Sequence, residues 1–342
     1  VHVPTDSNRG NVLSERFDNN TELITDFKDI CTIRSKVIIL RNPSVARSSA
    51  MSELAPKIHT DHLFFVKNNS AWRPSGEPVY TAEELLPVLR KINANNRTII
   101  PISPVMRREA CDLGFETLPD IRLSPVDWTP TFDIALYQSE PKAGMDAPYR
   151  IGRHGRDGLE KWLSDADKLR KIYPATDDFR IRILGGAGRA ADILGSLPEN
   201  WEVLPFGSSE PHDYLKQLDA FVYFPDENLA EAFGRTVVEA MIAGVPCILP
   251  HRFTDIFGDL AFYSHPEGVE DLIRQLANRD EERVKFLKEV QKIAVSRYAS
   301  SGIGSRFVDV LPELAGSQAV GQQQLSALGF KFREAVMSGF VK

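Results

Sequence analysis

Short apolar runs alternate with longer amphipathic stretches along most of the chain. In the first half the runs are Lys36 to Leu40, His62 to Val66, Arg97 to Ile102 and Ile121 to Ser124. In the second half they are Tyr149 to Ile151, Phe179 to Leu184, Trp201 to Leu204, Ala220 to Phe224, Val245 to Leu249 and Leu260 to Tyr263. A brief apolar run bounded by turn residues predicts a strand buried on both faces of a parallel sheet. The stretches between them carry helix signals. Thr81 with Glu84 forms a capping box and predicts a helix to about Asn95. Ser103-Pro104 opens another helix, which Gly114 closes. Thr236 to Ala243 sets Val237, Ala240 and Met241 on one face and stops at Gly244. Gly268 to Asn278 and Glu281 to Tyr298 follow, the second with a core stripe of Val284, Leu287, Val290, Ile293 and Ala294. Strands and helices in alternation predict an α/β fold on parallel sheets.

Gln138 to Pro148 has the composition of a linker and sets the expected domain boundary. A first α/β domain then spans 1–140 and a second spans 149–315, with a polar linker and a terminal helix over 316–342. A helix is also expected at Glu22 to Ile30, within an otherwise polar start. The Asp165-Ala166-Asp167 pair falls in a predicted helix and reads as surface charge.

The most informative stretch is Asp219 to Pro250, which reads strand, loop, helix, strand. Glu231 and Glu239 bracket the helix start with seven residues between them, and Gly234 stands just before the helix. Free N–H groups at a helix start suit a phosphate, and a glycine lets the backbone approach it closely. A carboxylate repels phosphate and accepts hydrogen bonds from hydroxyls. The combination suits a ligand with sugar hydroxyls on both sides of a diphosphate.

The run Glu-Ala-Phe-Gly-Arg-Thr-Val-Val-Glu from Glu231 to Glu239, continuing Ala-Met-Ile-Ala-Gly-Val-Pro, resembles the glutamate–seven–glutamate motif of retaining GT-B glycosyltransferases of the large family 4 group. The resemblance extends more weakly from about Ile151 to about Tyr298. It implies two Rossmann-like domains facing a central cleft, and transfer of a sugar from a UDP-, GDP- or ADP-sugar to a hydroxyl acceptor. It implies that Glu231 orients the donor sugar and Glu239 binds the ribose. Gly234, with Phe233, Arg235 and Thr236 around it in the motif, belongs to the donor site on the same ground. Arg153 and Lys161 match the family's cations that clamp the diphosphate, with Arg156 an additional candidate. Such cations stand in for a metal ion, so no metal and no further cofactor are expected. The first domain is short for an acceptor domain and lacks the family's Gly-rich first turn. His59 and His62 lie there, where a histidine sometimes meets the donor sugar, although a structural role is the simpler reading of each.

Gly185-Gly186-Ala187-Gly188-Arg189-Ala190-Ala191 contains the dinucleotide fingerprint after a predicted strand. The fingerprint makes an NAD(P)-dependent oxidoreductase the alternative function, whereas the glycosyltransferase resemblance implies a Gly-rich turn beside the donor at this place and so makes Gly186 and Gly188 donor-site candidates. No acidic residue follows the next strand to hold an NAD ribose. A non-catalytic sugar-nucleotide binder is a further alternative.

The 342 residues suffice for two domains, and 42% apolar with 26% charged residues is a globular composition. A net charge of −6, with neither half basic, argues against nucleic acid as a partner. No apolar run is long enough to span a membrane, and VHVPTDSNRG is too polar for a signal peptide. Cys31, Cys111 and Cys247 show no pairing or metal spacing, which favours a reducing cytoplasm. Peripheral contact with the inner face of a membrane is the secondary expectation.

Overall fold

The computed structural model describes residues 32–73, 75–311, 333, 336 and 337. The helix expected at Glu22 to Ile30, and Cys31, lie outside the described residues. The chain forms two compact units, the first ending at Trp128 and the second beginning at Thr129, with Arg73–Gly76 counted in the second.

The first unit carries a parallel sheet of four strands: β1 (Ile33–Arg41), β2 (Ile58–Lys67), β3 (Asn93–Pro101) and β4 (Arg122–Leu123), in that spatial order. One face is covered by a core that includes Leu63, Phe65, Leu85, Leu89 and Ile99. On the other face Phe64 meets Trp128 edge-on, with ring centroids 5.4 Å apart. The Thr81 capping box forms as expected, but its helix stops at Lys91 rather than Asn95. Asn93 to Asn96 extend β3 instead, because β2 starts early enough to pair with them from His59 onward. His59 and His62 thus lie towards the amino end of β2, away from the carboxyl edge where α/β folds place ligands. The Gly-rich turn missing after β1 is replaced by Asn42, which adopts φ 82°. Its side chain accepts from Ser44 N–H at 2.9 Å and from the Asn69 amide at 3.2 Å.

The second unit has six parallel strands: β5 (Tyr149–His154), β6 (Phe179–Leu184), β7 (Trp201–Leu204), β8 (Ala220–Val222), β9 (Cys247–Leu249) and β10 (Phe262–Tyr263). Their spatial order is β10-β9-β8-β5-β6-β7. The chain runs outward from β5 to β7, then returns to β8 on the other side of β5. This is the doubly wound order, and its reversal leaves a crevice at the carboxyl ends of β5 and β8. Asp165 is not surface charge alone: its carboxylate caps the Ala166–Ile172 helix by accepting from the N–H groups of Asp167 and Lys168.

The boundary falls earlier than the expected linker. Residues 129–148 form a strap across the second unit: Ser139 Oγ donates to Ala243 O at 2.8 Å, and Lys142 pairs with Asp219. Pro141 packs where a Cβ on Gly244 would stand, 3.0 Å away. The long Asp280–Tyr298 helix holds this strap through two buried polar side chains. Gln291 donates to Ser139 O at 2.7 Å, and Arg283 donates to Lys142 O at 3.2 Å. Of the stretch 316–342, only Arg333, Val336 and Met337 are described. Arg333 lies on the second unit, paired with Asp259 at 3.0 Å. Packing of the terminal helix on the first domain otherwise lies outside the described residues.

Candidate functional site

At the end of β5 the chain buries a cation. Arg153 is 2% exposed, its guanidinium 4.5 Å from the centre of the Trp162 ring and 5.3 Å from that of Tyr223. Nη1 donates to Lys161 O at 2.7 Å, while Nε has no partner. Among the described residues no carboxylate pairs with it. Buried charges are normally paired, and two aromatic faces compensate only in part. A Cβ at Gly155 would stand 3.5 Å from Arg153 Nη2 and 3.9 Å from Thr236 Cγ2. The buried guanidinium and the start of the Arg235–Ile242 helix therefore flank the same turn.

That helix begins at Gly234, whose φ of 87° is left-handed and whose position leaves no side chain to cap the first N–H groups. A Cβ there would meet the Phe257 ring at 3.3 Å. Phe233 is buried against Phe257 and Tyr298, so it anchors the loop in the core rather than lining a ligand surface. Arg235 is exposed and lies 4.6 Å over the Phe132 ring. Arg156 is exposed on the loop after β5.

Glu239 points inward from the same helix and is 7% exposed. Tyr137 neighbours its carboxylate, and His154 Nε2 lies 3.2 Å from it without making a hydrogen bond. Burial pushes the Glu239 carboxyl up to about 7, against the opposing pull of Arg235 and Tyr137. Burial, reinforced by Arg153, pulls His154 down to about 4. The His154 ring sits edge-on to Tyr214 and Phe221.

Glu231 and Lys161 come together as an ion pair, Nζ to Oε2 at 2.7 Å. The Tyr223 hydroxyl donates to the same oxygen at 2.8 Å, and its ring lies 5.9 Å below the Lys161 ammonium. Burial and the adjacent Glu231 raise the Tyr223 hydroxyl well above its ordinary range. Arg252 fixes the loop after β8 by donating to the carbonyls of Pro225 at 2.7 Å and Asp226 at 2.8 Å.

Gly186 and Gly188 lie at the end of β6, beside Asp157. The Asp157 carboxylate accepts from Arg189 N–H at 3.2 Å and from Trp162 Nε1 at 2.9 Å. An acid thus occupies the helix start where a dinucleotide would lay its phosphate. A Cβ on Gly185 would fall 2.0 Å from Gly155 O, so close backbone approach accounts for at least that glycine.

The sequence reading brought Arg153, Lys161, Glu231, Gly234, Thr236 and Glu239 to one crevice. It missed Tyr137, His154, Asp157 and Tyr223. Of these, Tyr223 and His154 adjoin strand ends at the switch point, and that position was the available signal. Among the described residues no group of three or more His, Cys, Asp or Glu is placed to hold a metal ion. No helix among them is long and apolar enough to cross a membrane.

The fold is similar to those of several solved glycosyltransferases. TarM of S. aureus matches with a TM-score of 0.55 at 14% identity, over 82% of this chain and 55% of that one. HepE of Anabaena in complex with UDP-glucose matches with a TM-score of 0.58 at 16% identity, over 81% of this chain and 79% of that one. The pneumococcal O-GlcNAc transferase GtfA in complex with UDP and GlcNAc matches with a TM-score of 0.52 at 16% identity, over 82% and 57%. The chain spans about half the length of the TarM structures it matches. No family model and no curated protein sequence matches the chain. The architecture is therefore α/β with parallel, Rossmann-like sheets of the GT-B type.

Proposed function

We propose that this protein transfers a sugar from a nucleotide-diphosphate sugar to a hydroxyl acceptor, with retention of anomeric configuration, in polysaccharide or glycoconjugate synthesis. The observation that carries this reading is Arg153: a buried guanidinium at the switch point with no carboxylate partner among the described residues, facing the turn beside an uncapped helix start. Such a group lacks an anion, and a diphosphate supplies one. The fold similarity to structures holding UDP and UDP-glucose makes UDP the first base to test.

In this reading the bond from the anomeric carbon to the diphosphate oxygen breaks as the acceptor oxygen bonds to the same face. Arg153, Lys161 and the amides after Gly234 stabilise the charge gathering on the leaving diphosphate. The departing phosphate oxygen takes the acceptor's proton, so no separate base is required. Glu231 accepts hydrogen bonds from the donor sugar, and Glu239 from the ribose. The positive charge a metal would contribute comes from the two cations. Unpaired Cys111 and Cys247 fit a reducing, cytoplasmic setting, which belongs to the same proposal, as does peripheral contact with the membrane's inner face.

The test is thermal unfolding with UDP, GDP, ADP and NAD, in wild type and Glu239→Ala, followed by turnover of the matching nucleotide sugar. A ligand at a hundred times its dissociation constant adds about 2.7 kcal/mol. Stabilisation by one nucleoside diphosphate, lost in the variant, is the expected result. Stabilisation by NAD alone overturns the proposal in favour of the oxidoreductase, against which the Asp157 carboxylate already weighs.

A further inference from the structure

The Lys161–Glu231 pair creates a conflict within the proposed donor site. Lys161 is assigned to the diphosphate and Glu231 to the sugar hydroxyls, yet without a ligand each holds the other at 2.7 Å. Both side chains are three-quarters buried or more, so neither is simply released to water. Tyr223 touches both partners. Its hydroxyl donates to Glu231 at 2.8 Å, and its ring lies beneath the Lys161 ammonium. Tyr223 is itself 2% exposed and extends directly from β8 at the switch point, so it stays fixed while longer side chains move.

We propose that donor binding exchanges the Lys161–Glu231 pair, and that Tyr223 is the positioning residue that holds Glu231 through the exchange. The inference rests on the donor-site reading given above. A nucleotide sugar satisfies both separated groups: its diphosphate takes Lys161, and its hydroxyls donate to Glu231. A nucleoside diphosphate without the sugar satisfies only Lys161. It leaves a partly buried carboxylate with the Tyr223 hydroxyl as its remaining side-chain donor among the described residues. The site therefore favours the intact donor over the spent nucleotide. Once the sugar has left, Glu231 reclaims Lys161 and helps expel the product.

Two substitutions within this trio give opposite signs. Glu231→Gln removes the charge that competes for Lys161, so the nucleoside diphosphate should bind tighter, by about fivefold. Tyr223→Phe keeps the ring but removes that side-chain donor from the deserted carboxylate, so the same nucleotide should bind weaker by about fivefold. A residue that merely supports the fold would weaken binding in both. The measurement is calorimetric titration of UDP, GDP and ADP into wild type and both variants, with circular dichroism melting to verify folding. Lys161→Gln combined with Glu231→Gln should abolish the gain, which keeps the exchange testable if Tyr223→Phe folds poorly. If wild type binds a nucleoside diphosphate but Glu231→Gln binds it equally or more weakly, the exchange is overturned and the donor site stands. If wild type binds none of the three, both fall together.

Discussion

Each unit buries a cation at the carboxyl edge of its sheet, and the two cations are treated in opposite ways. In the first unit Lys67 ends β2 with its side chain fully buried, and Glu109 meets it at 2.7 Å. Glu109 also accepts from Ser70 Oγ at 2.6 Å and Ala71 N–H at 2.9 Å. Every charge there is matched, and the result is a pinned loop. Burial lowers the Lys67 ammonium while Glu109 opposes that shift. In the second unit Arg153 is equally buried, but its neighbours are aromatic faces and a carbonyl. The first arrangement is complete as it stands, and the second is complete only with an added anion. A buried charge thus signals function through what fails to pair with it, more than through burial itself.

The comparison breaks most visibly at Glu109. Glu109→Ala strands the Lys67 ammonium and should destabilise the first unit by about 3–5 kcal/mol, read by chemical denaturation. Arg153→Met should do the reverse for folding, leaving the melting temperature unchanged or higher, while turnover falls by about a hundredfold to a thousandfold. A large loss of stability in Arg153→Met would make it a second structural cation.

Next in size is a pair of opposing pH effects around Glu239. Its folded pKa is raised to about 7, so between pH 4.5 and 7 the unfolded chain ionises while the native one resists, and stability falls as pH rises. His154 is lowered to about 4, so between pH 6.5 and 4 the unfolded chain takes up a proton the native one refuses, and stability falls as pH drops. Each effect reaches about 3 kcal/mol, and they cancel over the shared window. Glu239→Gln should expose a rise of stability with pH, and His154→Gln a fall, in denaturation midpoints from pH 4 to 7. The smallest expected effect is at Asp157. Asp157→Ala should cost about 1–3 kcal/mol of stability, with nucleotide affinity unchanged. A matching loss of affinity would bring the Gly186–Gly188 turn into the donor site.

Local chemistry was legible in the sequence wherever it repeats at short range. The strands of both sheets stood out as apolar runs, the Thr81 cap as a fixed spacing, and Glu231, Gly234 and Glu239 as a motif. The end of the Thr81 helix was not legible, because it depends on where β2 begins and therefore on a strand pairing. Tyr137 is a clearer case. It lies about a hundred residues before Glu239, in a stretch that reads as the tail of the first domain, and meets it only because the strap folds across the second unit. Gln291 and Arg283 interrupt an apolar stripe for a related reason: each donates to a carbonyl of that strap as well as to one in the second unit's own helices.

The strap has a practical consequence for anyone cutting the gene. A fragment started at residue 149, where composition invites the cut, would lack the Ser139, Pro141 and Lys142 contacts and would cost Asp219, Gln291 and Arg283 one polar partner each. It would also lose Tyr137, altering Glu239 from a distance no nearby substitution would reveal. A cut at residue 129, where the second unit's main stretch begins, keeps the whole strap with the crevice.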